Sequence, residues 1–174
     1  TQDLFQTMFA NNSVSPAPAG VILQTIKDGT SESEYFHLFG DPAMSLPMPS
    51  ASASLTSIVP DTLRTLATAS FSGQQELTTG SGYGFISVLD AARSVTRDYT
   101  INSEPESLSY TLPGATLFRG QFTFQGTEFS GQVRIPQDIS YSGDPARLMV
   151  YLHDNQQDAA GVLEQIPLVG GGIT

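Results

Sequence analysis

The chain has no cysteine and no tryptophan among its 174 residues, and only 14% of them are charged. Without cysteine there is no disulfide, no thiolate nucleophile and no cysteine-ligated metal. Without tryptophan, the 10 phenylalanines and 6 tyrosines must supply the bulky core side chains. Basic residues are scarce too: 7 Lys and Arg against 17 Asp and Glu, a formal net charge of −10. A nucleic-acid partner is excluded, because binding to phosphates needs clustered cations to replace counterions. A polybasic patch for anionic lipid is missing as well. No run of about 18 apolar residues occurs, so no helical membrane span is expected. The sequence starts at Thr1 without a charged and apolar leader, so we expect no signal peptide in it, and it need not be a complete gene product.

What takes the place of charge is Ser and Thr, a balance that points to an extracytoplasmic setting. The length fits one ordinary domain plus a piece of another. The first part reads as helical. In "TQDLFQTMFANN", Leu4, Phe5, Met8 and Phe9 form one stripe. A second helix opens after Pro18, with Val21, Ile22 and Ile26 expected to face inward and Gly29 to end it. A short buried strand, Tyr35 to Phe39, follows and stops at Gly40-Asp41-Pro42.

After residue 50 the hydrophobic period drops to two. "SASASLTS" is read as a linker or a first edge strand. Further strands are expected over 65–71, 83–90, 94–101, 107–112, 117–124, 128–136, 147–154 and 163–171. In 117–124, Phe118, Gly120, Phe122 and Phe124 share one face, and Arg119, Gln121 and Thr123 share the other. In 128–136, Phe129, Gly131, Val133 and Ile135 are aligned in the same way. "QGTE" between them is read as a hairpin turn at Gly126. Gly120 and Gly131 inside strands suggest bulges or a close backbone approach. The whole predicts a mainly β protein: an immunoglobulin-like antiparallel β-sandwich over residues 49–174, preceded by a short α/β segment over residues 1–48.

Candidate chemistry is thin. His37 and His153 each fall in a predicted strand and read as satisfied or surface histidines, not a metal pair. "GSGYG" (80–84) precedes a strand, where a phosphate loop precedes a helix, so it is read as a turn. "DNQQDAAG" (154–161) is read as an acidic loop. Asp154, Asn155 and Asp158 offer oxygens to calcium there, but their spacing does not fit an EF-hand. Asp41 before Pro42 reads as turn-forming. No G-x-S-x-G elbow is present. No catalytic, cofactor-binding or metal-ligating residue is assigned, and no cofactor is implied.

Two stretches carry a likeness. "YFHLFGDPAMSLPMP" resembles the end of the caspase-like domain in gingipain-type cysteine peptidases, through Leu38, Phe39, Gly40, Asp41, Pro42, Ala43, Met44 and Leu46. The region from Leu117 to Gly161 is similar to the part that follows the catalytic domain in the type IX secretion sortase family. The matching residues are Phe118, Gly120, Ile135, Pro136, Asp138, Ile139, Tyr141, Tyr151, Asp158, Ala159, Ala160 and Gly161. Asp61-Thr62-Leu63 fits the start of that family's sandwich.

The resemblance implies that residues 1–48 are the last part of a caspase-like peptidase domain and 49–174 a sandwich attached to it. It implies an exported parent, secreted or outer-membrane-associated in a Gram-negative bacterium. The partner it implies is an upstream catalytic domain. The family's nucleophile is a cysteine, which this chain lacks, so no catalytic residue carries over. The chain is then expected to be a non-catalytic fragment whose sandwich braces the catalytic domain or positions substrate. An autonomous adhesion or carbohydrate-binding module is the alternative. Self-association through the apolar positions of 1–48 is also expected.

Overall fold

The structure, a computed structural model, describes residues 17–28, 37–38, 40–45, 48–101, 103–140 and 142–170. The chain divides into two compact units, Thr1–Ser50 and Ala51–Thr174. The helix expected over the first twelve residues lies outside the described residues.

In the first unit, helix α1 spans Ala19–Asp28. It starts where Pro18 contributes its carbonyl, which accepts from the amides of Val21 and Ile22. The amides of Ala19 and Gly20 donate to the carbonyls of Met44 and Pro42, each at 2.9 Å. The Gly-Asp-Pro turn therefore satisfies helix donors that have no partner inside the helix. Gly20 is required there, because a Cβ would run into Pro42. Asp41 Oδ1 accepts the Ala43 amide at 2.8 Å, closing the turn. Ile22 is buried, but Val21 is 52% exposed, so the inward face is narrower than the sequence suggested. Of the strand expected over 35–39, only His37 and Leu38 are described. Both are exposed and in no strand.

The second unit is a β-sandwich. Its main strands are β1 (Ala51–Val59), β3 (Thr68–Gln75), β4 (Ser81–Leu89), β7 (Thr116–Gln125), β8 (Glu128–Arg134), β9 (Ala146–His153) and β10 (Asp158–Ile166). They run in the order β7-β4-β9-β10-β1-β3-β8. Two residues of β1, Ala51 and Ser52, pair parallel with Ala159 and Ala160 of β10. The rest of β1 pairs antiparallel with β3. The sheet folds over at this crossing. The rings of Phe71 (β3) and Phe122 (β7) meet edge to face at 5.3 Å, and those of Phe122 and Phe129 (β8) lie at 5.9 Å. Strands far apart in the sheet order thus face each other, as β7-β4-β9-β10 in one layer and β1-β3-β8 in the other. Short strands β2 (Leu63–Arg64) and β11 (Leu168–Val169) pair beside them, and β5 (Arg93–Ile101) and β6 (Glu104–Leu112) form a separate two-stranded ribbon.

Between the layers lies the core, where Phe71, Leu63, Ile135, Leu148, Leu152, Val88 and Val133 are the largest fully buried side chains. Three phenylalanines lie over glycines directly opposite in the ladder: Phe122 over Gly84, Phe71 over Gly131 and Phe129 over Gly73. Each ring occupies the space a Cβ would need. Gly131 thus marks a close approach, and the register runs through it without a bulge. Gly161 sits where β1 crosses, with the carbonyl of Ala53 against the place of its missing side chain.

One of the two readings of "SASASLTS" holds and one expectation is corrected. β1 is a strand, not a linker: Ala51 and Ser52 pair with β10 and Ala53 to Val59 with β3, so each stretch is the edge of one layer. Its small residues allow the tight crossing, and Ala53, Leu55 and Ile58 still point into the core. The stretch 117–136 is not a hairpin. β7 pairs with β4 and β8 pairs with β3, so the turn at Gly126 (φ 81°) joins the two layers. The faces are as expected: Phe124, Phe129, Val133 and Ile135 are buried, while Arg119, Gln121 and Thr123 are exposed.

Candidate functional site

Alternation on β4 and β9 leaves a second set of side chains on the outer surface. Because those strands pair in register, their outer residues line up in rows. Tyr83 stands opposite His153, Phe85 opposite Tyr151, and Ser87 opposite Met149. β10 extends each row with Asp158, Ala160 and Val162. On the other side β7 adds Thr123, Gln121 and Arg119. Tyr83, Phe85, Met149, Tyr151 and Val162 are between 41% and 51% exposed. A contiguous apolar and aromatic surface on a sheet face is uncommon where the only neighbour is water.

His153 organises this surface. Its ring lies 5.9 Å from that of Phe85 at 11°, stacked, and 5.8 Å and 6.1 Å from those of Tyr83 and Tyr151. The Tyr151 hydroxyl donates to Asp158 Oδ2 at 3.1 Å. Burial, reinforced by that bond and by the Asp158 charge, raises the tyrosine pKa above its usual value. The phenol therefore remains a proton donor. Beside the stack opens a groove of about 610 Å³, walled by Phe85, Tyr151, Met149 and Val162 and bordered by Ser87 and Arg119.

A second surface with exposed apolar side chains is the β5–β6 ribbon. Its register places Val95, Tyr99, Ile101, Leu108 and Tyr110 on one face, among Arg93, Arg97, Glu104 and Glu106, and Ser94, Thr96, Asp98, Ser107, Ser109 and Thr111 on the other. Tyr99, Ile101 and Leu108 are 42%, 52% and 53% exposed. The polar face is tied by a 2.9 Å bond between the Thr96 and Ser109 hydroxyls.

The other residues singled out from sequence have local roles. Asp154 ties down the turn before β10. Its Oδ2 accepts from the Thr79 hydroxyl at 2.6 Å, and its Oδ1 from the amides of Gln157 and Gln156 at 2.7 and 3.0 Å. The Thr79 bond, then the Gln157 and Gln156 amides, lower its pKa to about 2. Asn155 takes the left-handed turn position at φ 73°. The acidic "loop" is half strand, since β10 begins at Asp158. Gly80, at φ 66°, turns the chain into β4. Among the described residues no group of three His, Asp or Glu side chains is placed to hold a metal. Sequence reasoning treated His153 as an ordinary strand histidine. The alternation of Tyr83 with Phe85, and of Tyr151 with His153, was the available signal, but only the register of β4 on β9 brings them together.

No family model matches the chain, and no curated protein matches it. Among solved structures, the crystal structure of dimeric latent PorU from Porphyromonas gingivalis is similar over 97% of this chain, with 20% identity and a TM-score of 0.57. Spo0M, a sporulation control protein from Bacillus subtilis, aligns over 67% of this chain and 49% of its own, with 12% identity and a TM-score of 0.37, too low to carry an argument. The chain spans 18% of the PorU chain it matches. It therefore shares its fold with a stretch of PorU, both of its units lying within the matched length.

Proposed function

We propose that the chain is the non-catalytic C-terminal portion of a gingipain-like cysteine peptidase of the type IX secretion sortase kind. Residues 1–48 would be the end of its caspase-like domain, and residues 49–174 the sandwich that braces that domain or positions substrate. The observation that carries this reading is the fold likeness over 97% of the chain to 18% of one much longer chain. The resemblance of Gly40-Asp41-Pro42 and of Ile135 to Gly161 to that family supports the same reading. With no cysteine present, the chain contains no cysteine-peptidase nucleophile. The parent would act outside the cytoplasm, in the secretion system that the resemblance implies.

The ribbon is the surface through which bracing would act. A two-stranded ribbon is marginal alone in water. Covering Tyr99, Ile101 and Leu108 with the catalytic domain would stabilise both parts. The test is the reading frame that encodes this chain and its longer product. We expect a Cys and a His upstream of Gly40, and thiol-dependent peptide cleavage by the long product but none by residues 1–174. Replacing Ile101 and Leu108 by Ser should lower the melting temperature of the catalytic domain in the long product. An upstream frame without Cys, or cleavage by the short chain, would overturn the peptidase reading. An unchanged melting temperature would overturn the bracing role.

A further inference from the structure

We infer that the groove on the outer face of the β7-β4-β9-β10 layer binds a short run of pyranose sugars. A pyranose is amphipathic: one flank is C–H and apolar, and the rim carries hydroxyls. The groove has the matching two halves on neighbouring strands. β4 and β9 present Phe85, Tyr151 and Met149, and the adjacent β7 presents Arg119, exposed and in the row of Ser87 and Met149. Neighbouring strands lie about 4.8 Å apart, a spacing comparable to the width of a sugar ring. An apolar flank set on Phe85 would thus bring rim hydroxyls within reach of the Arg119 guanidinium.

Three further features fit this occupant. Phe85 is held before any ligand arrives, since His153 stacks on it at 11° from the Tyr83 side while the groove lies on the Ser87 side. Pre-ordering removes part of the entropic cost of binding. The middle of the site is low, with Ala160 beside Tyr151 and Ser87 beside Met149, so no long side chain blocks it. About 610 Å³ falls in the range of small-molecule sites, roughly 300–1,000 Å³. Arg119 contributes several N–H donors in a fixed fork that spans adjacent hydroxyls. The inference does not depend on the peptidase reading, because binding requires only the sandwich.

Titration of the isotope-labelled full chain with mannotriose, maltotriose and triacetylchitotriose, each to about 10 mM, tests it by amide shifts. We expect at least one sugar to give saturable shifts at Phe85, Arg119, Tyr151 and Val162, with Ser57 and Ser72 on the opposite outer face unmoved. Phe85→Ala and Arg119→Ala should each weaken that binding at least about tenfold. Thermal melts check that each variant is folded, and Arg119→Ala, at an exposed position, serves if Phe85→Ala is not. If none of the three sugars shifts the groove, the inference is wrong. It is equally wrong if binding persists in both variants, or if these amides respond only to protein concentration, which would make the face a protein contact.

Discussion

The sandwich has two outer faces built from the same alternating pattern, and they are dressed differently. On the β1-β3-β8 layer the outward positions include Ser54, Ser57, Ser70, Ser72, Gln74, Ser130 and Gln132, with Val59 at its margin as an exposed apolar exception. The polar ones bond to one another, as Ser57 and Ser72 do at 2.8 Å between hydroxyls. On the β7-β4-β9-β10 layer the corresponding positions include Tyr83, Phe85, Met149, Tyr151 and Val162. The first face shows what this chain places against water. Measured against it, the aromatic face is a departure within one molecule, and composition alone cannot account for it. The ribbon shows a weaker version of the contrast: hydroxyls fill one side, while Tyr99, Ile101 and Leu108 share the other with Arg97, Glu104 and Glu106.

The comparison depends first on inside and outside being assigned correctly. Phe71→Ala empties the space over Gly131, where the ring is 2% exposed. It should cost about 3–5 kcal/mol, much of a domain's total stability. Phe85→Ala on the outer face should cost about 1 kcal/mol, the scale of its stacking on His153. Denaturant titrations giving equal losses would break the distinction.

Next in size is the crossing that separates the layers. Gly161→Ala sets a methyl against the Ala53 carbonyl, and backbone cannot swing aside as a side chain can. A loss of about 1–3 kcal/mol is expected. Ala160→Ser, one residue away and exposed, should lie within about 0.5 kcal/mol. Equal losses for the two, in the same titration, would mean that β1 does not pass so close to β10.

A smaller effect sharpens the contrast of surfaces directly. The double change Tyr83→Ser and Tyr151→Ser makes the aromatic face resemble the other one. Binding of an apolar fluorescent dye should fall, and folding should persist. An unchanged dye signal would move the sticky surface elsewhere, with the ribbon next in line.

The smallest effect concerns acid. Asp154 has a folded-state pKa lowered to about 2 by Thr79 and two amides. A lowered carboxylate contributes stability above its unfolded value of about 3.9. That contribution is lost as pH falls from there towards 2. Asp154→Asn should flatten the stability profile in that window and leave its shape near neutrality unchanged. An identical acid limb in both proteins would remove Asp154 from the account.

Much of the fold was legible from alternation alone. It placed Phe122, Phe124, Phe129 and Val133 on the core side, because burial of one face in two is a local property of a strand. Pairing is not local. A short turn at Gly126 looks the same whether it closes a hairpin or carries the chain between layers, and the choice depends on what β4 and β3 offer as partners. β1 was left between linker and edge strand because a crossing strand must be small, and Ser-Ala composition also describes a linker. The His153 cluster was illegible for a related reason. Its members come from strands about seventy positions apart, and only register makes them neighbours.

The arch at Gly126 bears on how the molecule assembles in time. β7 and β8 are adjacent in sequence yet stand at the two ends of the strand order, so the easiest local contact to form contributes no ladder to the final sheet. Every partner of either strand must be found across a distant part of the chain, apart from what the turn itself holds near. Closing such loops costs entropy before any contact returns it. Folding should therefore be slow for a domain of this size, in the millisecond-to-second range of non-local β proteins. During that interval the hydroxyl-rich face offers little for strangers to hold, and the aromatic face and the ribbon are where early chains would meet each other.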